Sequence, residues 1–256
     1  DLPRAMAGLS ADPEVRAVVV AARGPHFSVG LDLKAMAGTL AGGGTDRSTP
    51  GGGTDRSRPG GGAGGSTAAR ARATRHSVLG MQAAVTSVAA CPKPVIAAVH
   101  GYCIGGGVDL VTACDIRLAA ADAVFSVREA RMAIVADLGV LQRLPRIVGA
   151  GHVAELAFTG KDVGAARARE IGLVNDVLPD AGTALSAARA LAAEIAANSP
   201  LAVQGTKAVL LAGEGRTVAE GLDYVATWNA GMLASNDLAE ALAAFTEKRA
   251  PRFEGS

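Results

Sequence analysis

Apolar residues are distributed in two textures along this chain. In the first half they form short, uninterrupted runs. "VRAVVVAA" (15–22) and "VIAAV" (95–99) have the length and β-branched content of strands covered on both faces. "IRLAAADAVFSV" (116–127) reads as two further short strands joined at Asp122. From about residue 181 the texture changes to alanine-rich stretches with leucine at helical spacing. These predict helices at 183–198, 201–212, 217–234 and 236–248. Asn198, Ser199 and Pro200 mark a break and a helix start, and Gly213 and Gly215 mark another break. The pattern is that of an α/β body followed by a helical tail.

One segment fits neither texture. Between the first two strand runs lies "GGGTDRSTPGGGTDRSRPGGGAGG", which starts at Gly42 and contains a nine-residue repeat. Its composition offers no apolar surface to bury, so residues 42–66 are expected to form a flexible surface insertion. No Gly-Lys-Ser/Thr follows the glycines, which excludes a phosphate-binding P-loop.

Composition narrows the partners. The 256 residues carry a net charge of +1, and 3% are aromatic. Neither a basic surface for nucleic acid nor a stacking platform for bases is expected. No apolar run is long enough to span a bilayer, so no membrane partner is expected. Cys91, Cys103 and Cys114 are too irregularly spaced for a disulfide framework or a zinc site, and fit a reducing compartment, read as cytoplasm. The alanine- and arginine-rich composition suggests a high-GC bacterial source. The four histidines, His26, His76, His100 and His152, have no metal-ligand spacing.

Two glycine turns are the chemical candidates. "HGYCIGGGVDL" (100–110) leaves the run at 95–99 and opens a helix, and exposed N–H groups at a helix start accept a negative oxygen. Gly105, Gly106 and Gly107 would let a ligand reach that backbone. A tight packing turn without a ligand is the alternative reading. "GPHFSVGLDLKAM" (24–36) leaves the first run in a similar way, with Leu31 after Gly30. Together the turns would offer one N–H each to a shared enolate oxygen. Each such donor is worth roughly 2.7–4 kcal/mol in a transition state.

"HFSVGLDLK", "CPKPVIAAVHGYCIGGGVDL", "CDIRLAAADAVFSVRE", "LQRLPRIVGAGHVAELAFTG" and "AREIGLVNDVLP" together resemble the crotonase (enoyl-CoA hydratase/isomerase) superfamily. The resemblance covers nearly the whole chain apart from the insertion. It implies an α/β spiral of ββα units over residues 1–190 and a helical trimerisation region over 191–256. It also implies an acyl-CoA thioester substrate and a homotrimer or dimer of trimers. The oxyanion-hole N–H groups then fall on Leu31 and Gly106, and substrate contacts on Val29, Leu33 and Lys248. No cofactor and no metal are implied, coenzyme A being part of the substrate.

Acids separate the branches of such a family. A hydratase would carry two glutamates to hold water, whereas this chain has Asp109 and Glu129 in those places, with Asp137 eight residues further on. The trio resembles that of Δ3,5-Δ2,4-dienoyl-CoA isomerases, as do "CIGGGVDL", "ADLGVLQRLP" and "LDYVATWN". The implied reaction is a two-carboxylate double-bond shift in the β-oxidation of unsaturated fatty acids. Glu129 would serve C2 and Asp137 C6, the reverse assignment being the alternative, while Asp109 would orient its neighbours. The apolar residues around Asp137 in sequence predict a buried acid with a raised pKa. An N-cap for a helix beginning near Leu138 is the alternative reading of that residue. An enoyl-CoA hydratase, or a non-catalytic acyl-CoA-binding protein of the same shell, are the alternatives for the whole chain.

"IVGAGHVA" (147–154) matches a dinucleotide fingerprint through Gly149, Gly151 and Ala154. The charged, proline-containing "RLPRIV" before it is a poor parallel strand. The resemblance instead implies a helix–turn–helix here, with Gly149 as a helix stop.

Overall fold

The computed structural model describes residues 1–30 and 66–256. Leu31, Leu33 and nearly all of the Gly-rich insertion lie outside these residues. The chain opens with helix α1 (Leu2–Ala11) and edge strand β1 (Val18–Ala21). The strand is shorter than the apolar run, because Val15 N–H turns back to the Asp12 carbonyl. Helix α2 (Thr67–Ala89) begins at Ser66, whose hydroxyl accepts from Ala69 N–H. Then come β2 (Val95–Val99), β3 (Tyr102–Ile104), α3 (Gly106–Thr112), β4 (Ile116–Ala120) and β5 (Val124–Ser126). A 3-10 turn (Glu129–Met132), helix α4 (Val140–Arg143) and a second 3-10 turn (Leu144–Arg146) lead to α5 (Ala150–Thr159).

Beyond α5 lie β6 (Val163–Gly164), α6 (Ala165–Glu170) and β7 (Asp176–Leu178). Four longer helices finish the chain: α7 (Ala181–Ala196), α8 (Pro200–Ala212), α9 (Val218–Met232) and α10 (Asn236–Glu247). The predicted tail helices agree with these to within a few residues. Ser199 caps α8 through Ala202 N–H, with Pro200 at its start, as the sequence pattern requires.

The strands form two sheets. β1, β2, β4 and β7 make a parallel sheet in that order, while β3, β5 and β6 make a second, mixed sheet. Each ββ pair therefore sends its first strand to one sheet and its second to the other, and the chain spirals. Strand β2 is buried at every residue, which explains its unbroken apolar run. Its side chains alternate with the period of two that a strand imposes. Val95, Ala97 and Val99 enter the core between the sheets with Val108, Val111 and Phe125. Ile96 and Ala98 face α7, packing with Leu118, Leu185, Ala188 and Leu191. Burial of each large side chain contributes about 1.5–3 kcal/mol.

Buried charges tie the layers together. Arg117 of β4 donates to the Leu173 and Cys114 carbonyls at 2.8 and 2.7 Å. Lys207 of α8 donates to Asp115 Oδ2 at 2.6 Å and to the Lys93 carbonyl at 3.1 Å. Helix α8 is thereby clasped to the start of β2.

Gly149 requires a correction. It sits in extended conformation at the N-cap of α5 instead of ending a helix. The preceding 3-10 turn ends at Arg146, and no strand leads into the helix, so the dinucleotide fingerprint lacks its strand–turn–helix context.

Candidate functional site

The three glycines of the second turn answer three different demands. Gly105 has φ +53°, in the left-handed region, and a Cβ on it would lie 3.1 Å from Glu129 Oε1. Gly107 is in helical conformation but packs on the first turn, where a Cβ would meet Ser28 Cβ at 2.8 Å and Cys103 Sγ at 3.4 Å. Gly106 has no such neighbour. A Cβ there would touch only Leu138 Cδ1, at an ordinary 3.8 Å. The fold thus needs the glycines on either side, while Gly106 keeps its backbone open. Its N–H is one of the unpaired donors of the first turn of α3, and it meets no acceptor among the described residues.

The two glycine turns are hydrogen-bonded to each other. Phe27 N–H donates to the His100 carbonyl and Ser28 N–H to the Tyr102 carbonyl, both at 2.9 Å, and Ile104 N–H returns to the Ser28 carbonyl at 2.9 Å. Ser28 and Cys103 form a parallel bridge. Gly30 has φ +86°, and a Cβ on it would lie 3.1 Å from the Ile104 carbonyl oxygen. Both turns are therefore laid along β3, with Val29 exposed beside them. Ser28, whose Oγ accepts from Gly30 N–H at 3.3 Å, was not singled out by the sequence. Its only signal there is its place two residues before Gly30.

Three carboxylates gather at this point. Asp109 is 1% exposed and its Oδ1 accepts from Val140 N–H at 2.6 Å. Burial pushes its carboxyl up to about 6; the Val140 hydrogen bond opposes this shift, and the Glu129 carboxylate adds to it. Glu129 lies at the start of the first 3-10 turn, with Oε2 buried and without a hydrogen-bond partner among the described residues. Burial raises its pKa, and the Asp137 carboxylate pushes it in the same direction. Burial and the neighbouring carboxylates both disfavour the charged forms of Asp109 and Glu129.

Asp137 departs from one expectation and removes one alternative. It is half-buried, with Val135 exposed, so its sequence neighbours do not all enclose it. It does not cap a helix: Gly139 occupies the N-cap of α4, and Asp109 takes the Val140 N–H. Lys248 sits exposed at the C-cap of α10 in left-handed conformation. His100 holds the Gly24 carbonyl through Nε2 at 2.9 Å, a packing contact. Cys103 is fully buried, and burial pushes its thiol pKa up, away from nucleophilic use.

A family model described as "Enoyl-CoA hydratase/isomerase" matches residues 61–256. The chain belongs to this family. Among similar proteins is the Δ3,5-Δ2,4-dienoyl-CoA isomerase, peroxisomal, of Arabidopsis thaliana. It is 44% identical over 255 residues, which are 99% of this chain and 84% of that protein. The mitochondrial Δ3,5-Δ2,4-dienoyl-CoA isomerase of Homo sapiens is 45% identical over 94% of this chain and 68% of its own length. Among solved structures, an enoyl-CoA hydratase from Bacillus anthracis superposes with a TM-score of 0.83 at 31% identity. That match covers 100% of this chain and 87% of the other. The spiral of ββα units with C-terminal helices is the fold of this enoyl-CoA hydratase/isomerase family member.

Proposed function

We propose that this protein is a dienoyl-CoA isomerase that converts 3,5-dienoyl-CoA to 2,4-dienoyl-CoA in the β-oxidation of unsaturated fatty acids. One observation carries the choice within the family: Asp109 is engaged. Its carboxylate is buried on Val140 N–H, which leaves Glu129 and Asp137 as the acids free to exchange protons with a substrate. The 44% and 45% identities to dienoyl-CoA isomerases support the same reading.

The thioester oxygen sits between the N–H groups of Gly106 and Leu31. C2 is one bond from the thioester carbon, so the acid that serves it must stand beside these donors. Glu129, whose Oε1 faces Gly105, is that acid. It takes a proton from C2, the freed pair forms the C2–C3 double bond, the C3–C4 pair shifts to C4–C5, and the C5–C6 pair takes a proton from Asp137 at C6. The double bonds move from 3,5 to 2,4 with no change in oxidation state. Carboxylates alone suffice, so neither a metal nor a redox cofactor has a part, and coenzyme A arrives with the substrate.

By the family resemblance Val29 and Leu33 are assigned to substrate contact, and Lys248 to coenzyme A of a neighbouring subunit. Residues 1–190 form the catalytic unit and 191–256 the assembly region of a homotrimer or dimer of trimers. The apolar surface left on α8–α10, including Leu210, Leu222, Leu242 and an 85% exposed Phe245, supports that role. The three free, buried cysteines fit a reducing compartment.

The test is conversion of a 3,5-dienoyl-CoA followed by the ultraviolet absorbance of the conjugated 2,4-dienoyl thioester. Asp137→Asn and 2-enoyl-CoA hydration are measured in parallel. Isomerisation lost in the variant is expected. Hydration without isomerisation would return the protein to the hydratases, and thioester binding without either reaction would make it a binding protein.

A further inference from the structure

Asp137 lies on an irregular segment between a 3-10 turn and the four-residue helix α4. Nothing in its local secondary structure fixes where its carboxylate stands. The hydrogen bonds that hold its backbone tie it to α2, directly through Gln82 and indirectly through Arg143. Gln82 of α2 donates Nε2–H to the Asp137 carbonyl at 2.6 Å. Arg143 donates Nη1–H to the Leu138 carbonyl at 3.1 Å and Nη2–H to Thr86 Oγ1 at 3.0 Å. Gln82 and Thr86 are four residues apart, on one face of α2. Gly139, at φ +118°, makes the arrangement possible, because a Cβ there would collide with the Arg143 guanidinium.

We infer that Gln82 and the Thr86–Arg143 pair are positioning residues for proton delivery by Asp137. They hold the Asp137–Leu138 backbone against α2 so that the carboxylate meets the distal end of the diene. This assignment rests on the isomerase reading and adds to it a division of labour. Glu129 is held by its own turn against Gly105, so its reach to C2 does not depend on α2. The two proton transfers of one reaction therefore have separate supports.

The separation can be measured in deuterium oxide. Deuterated solvent marks the returning dienolate at C2 of recovered 3,5-dienoyl-CoA and the advancing one at C6 of the product. In Gln82→Met, which keeps the bulk and removes the donor, delivery at C6 should slow roughly tenfold. Removal at C2 should continue, so the ratio of C2 label in recovered substrate to product formed should rise by a similar factor. Thr86→Val should change the ratio in the same direction, and Thr86→Ser should restore it. Thermal unfolding of each variant identifies any that do not fold, and the Thr86 pair then carries the test. Equal slowing of exchange and product formation, or an unchanged ratio, would overturn the assignment and leave Gln82 and Thr86 with a structural role only. A wild-type protein that produces no 2,4-dienoyl thioester would remove the isomerase reading itself, a failure visible before any variant is made.

Discussion

Replacing Gly106 and Gly107 by alanine, one at a time, should produce opposite failures at adjacent residues. At Gly107 the new methyl would lie 2.8 Å from Ser28 Cβ and 3.2 Å from Ser28 Oγ. Ser28 is held by backbone hydrogen bonds on both sides and cannot retreat. Overpacking of this kind costs about 1–3 kcal/mol. At Gly106 the methyl meets only Leu138 Cδ1 at 3.8 Å, and the helix start gains alanine's better propensity, worth up to about 0.5–1 kcal/mol. The folded protein should therefore tolerate Gly106→Ala with equal or slightly greater stability. The ligand should not, because the methyl stands where the thioester oxygen approaches the N–H. Loss of one oxyanion donor costs about 2.7–4 kcal/mol, or roughly 10²–10³-fold in rate. Thermal unfolding and initial rates on a 3,5-dienoyl-CoA, run on both variants, separate the two effects. Full activity in Gly106→Ala, or destabilisation equal to that of Gly107→Ala, would refute the claim that Gly106 is kept bare for a ligand.

Asp109→Asn should stabilise the protein at pH 7, because the native carboxyl at about 6 holds its proton above its ordinary 3.8. A raised carboxyl pKa makes stability greatest below pH 4 and removes it as pH climbs through 6. The difference is worth at most about 3 kcal/mol. Denaturant unfolding at pH 4, 5, 6 and 7 should show this decline in the native chain and a flatter profile in the variant, and a parallel decline would count against it. Lys207→Met should cost about 2–4 kcal/mol by leaving Asp115 beside β2 without its ammonium, and adding Asp115→Asn should recover part of the loss in a double-mutant cycle. Lys248→Gly relieves a left-handed non-glycine residue and should be neutral or stabilising by about 1 kcal/mol, while raising KM for the coenzyme A thioester if the lysine meets it; an unchanged KM would remove Lys248 from the substrate contacts.

The parts of the fold legible in the sequence are those whose pattern is local. Strand β2 is apolar throughout because both of its faces are covered, and the tail helices carry their own leucine spacing and caps. Helix α2 was not legible, because only Val85 and Val88 along its 23 residues are buried. No apolar stripe marks it. Strand β3 was hidden inside the glycine turn, with three residues whose pairing is with β5 rather than with a sequence neighbour. Arg117 breaks the apolar pattern of β4, yet it is satisfied by carbonyls up to 56 residues away. The site divides in the same way. Glycine turns and acids announce themselves by type and spacing, whereas Gln82 and Thr86 reach across 55 and 57 residues to partners that only the folded chain brings near.

The hydrogen-bonded seam between the two glycine turns has a consequence for how such a site can change over time. The separation of the turns is set by the pairing of Phe27 and Ser28 with the backbone at His100 to Ile104, at the near-constant 4.7–4.9 Å that neighbouring strands keep. The main chain sets that gauge, with the His26 and His100 side chains bonding beside it. Residues lining the acyl chain can then be exchanged to admit a longer, shorter or more bent substrate without retuning the grip on the thioester. Selection on substrate range and selection on the grip of the thioester act here on different atoms of the chain, side chains for the first and main chain for the second.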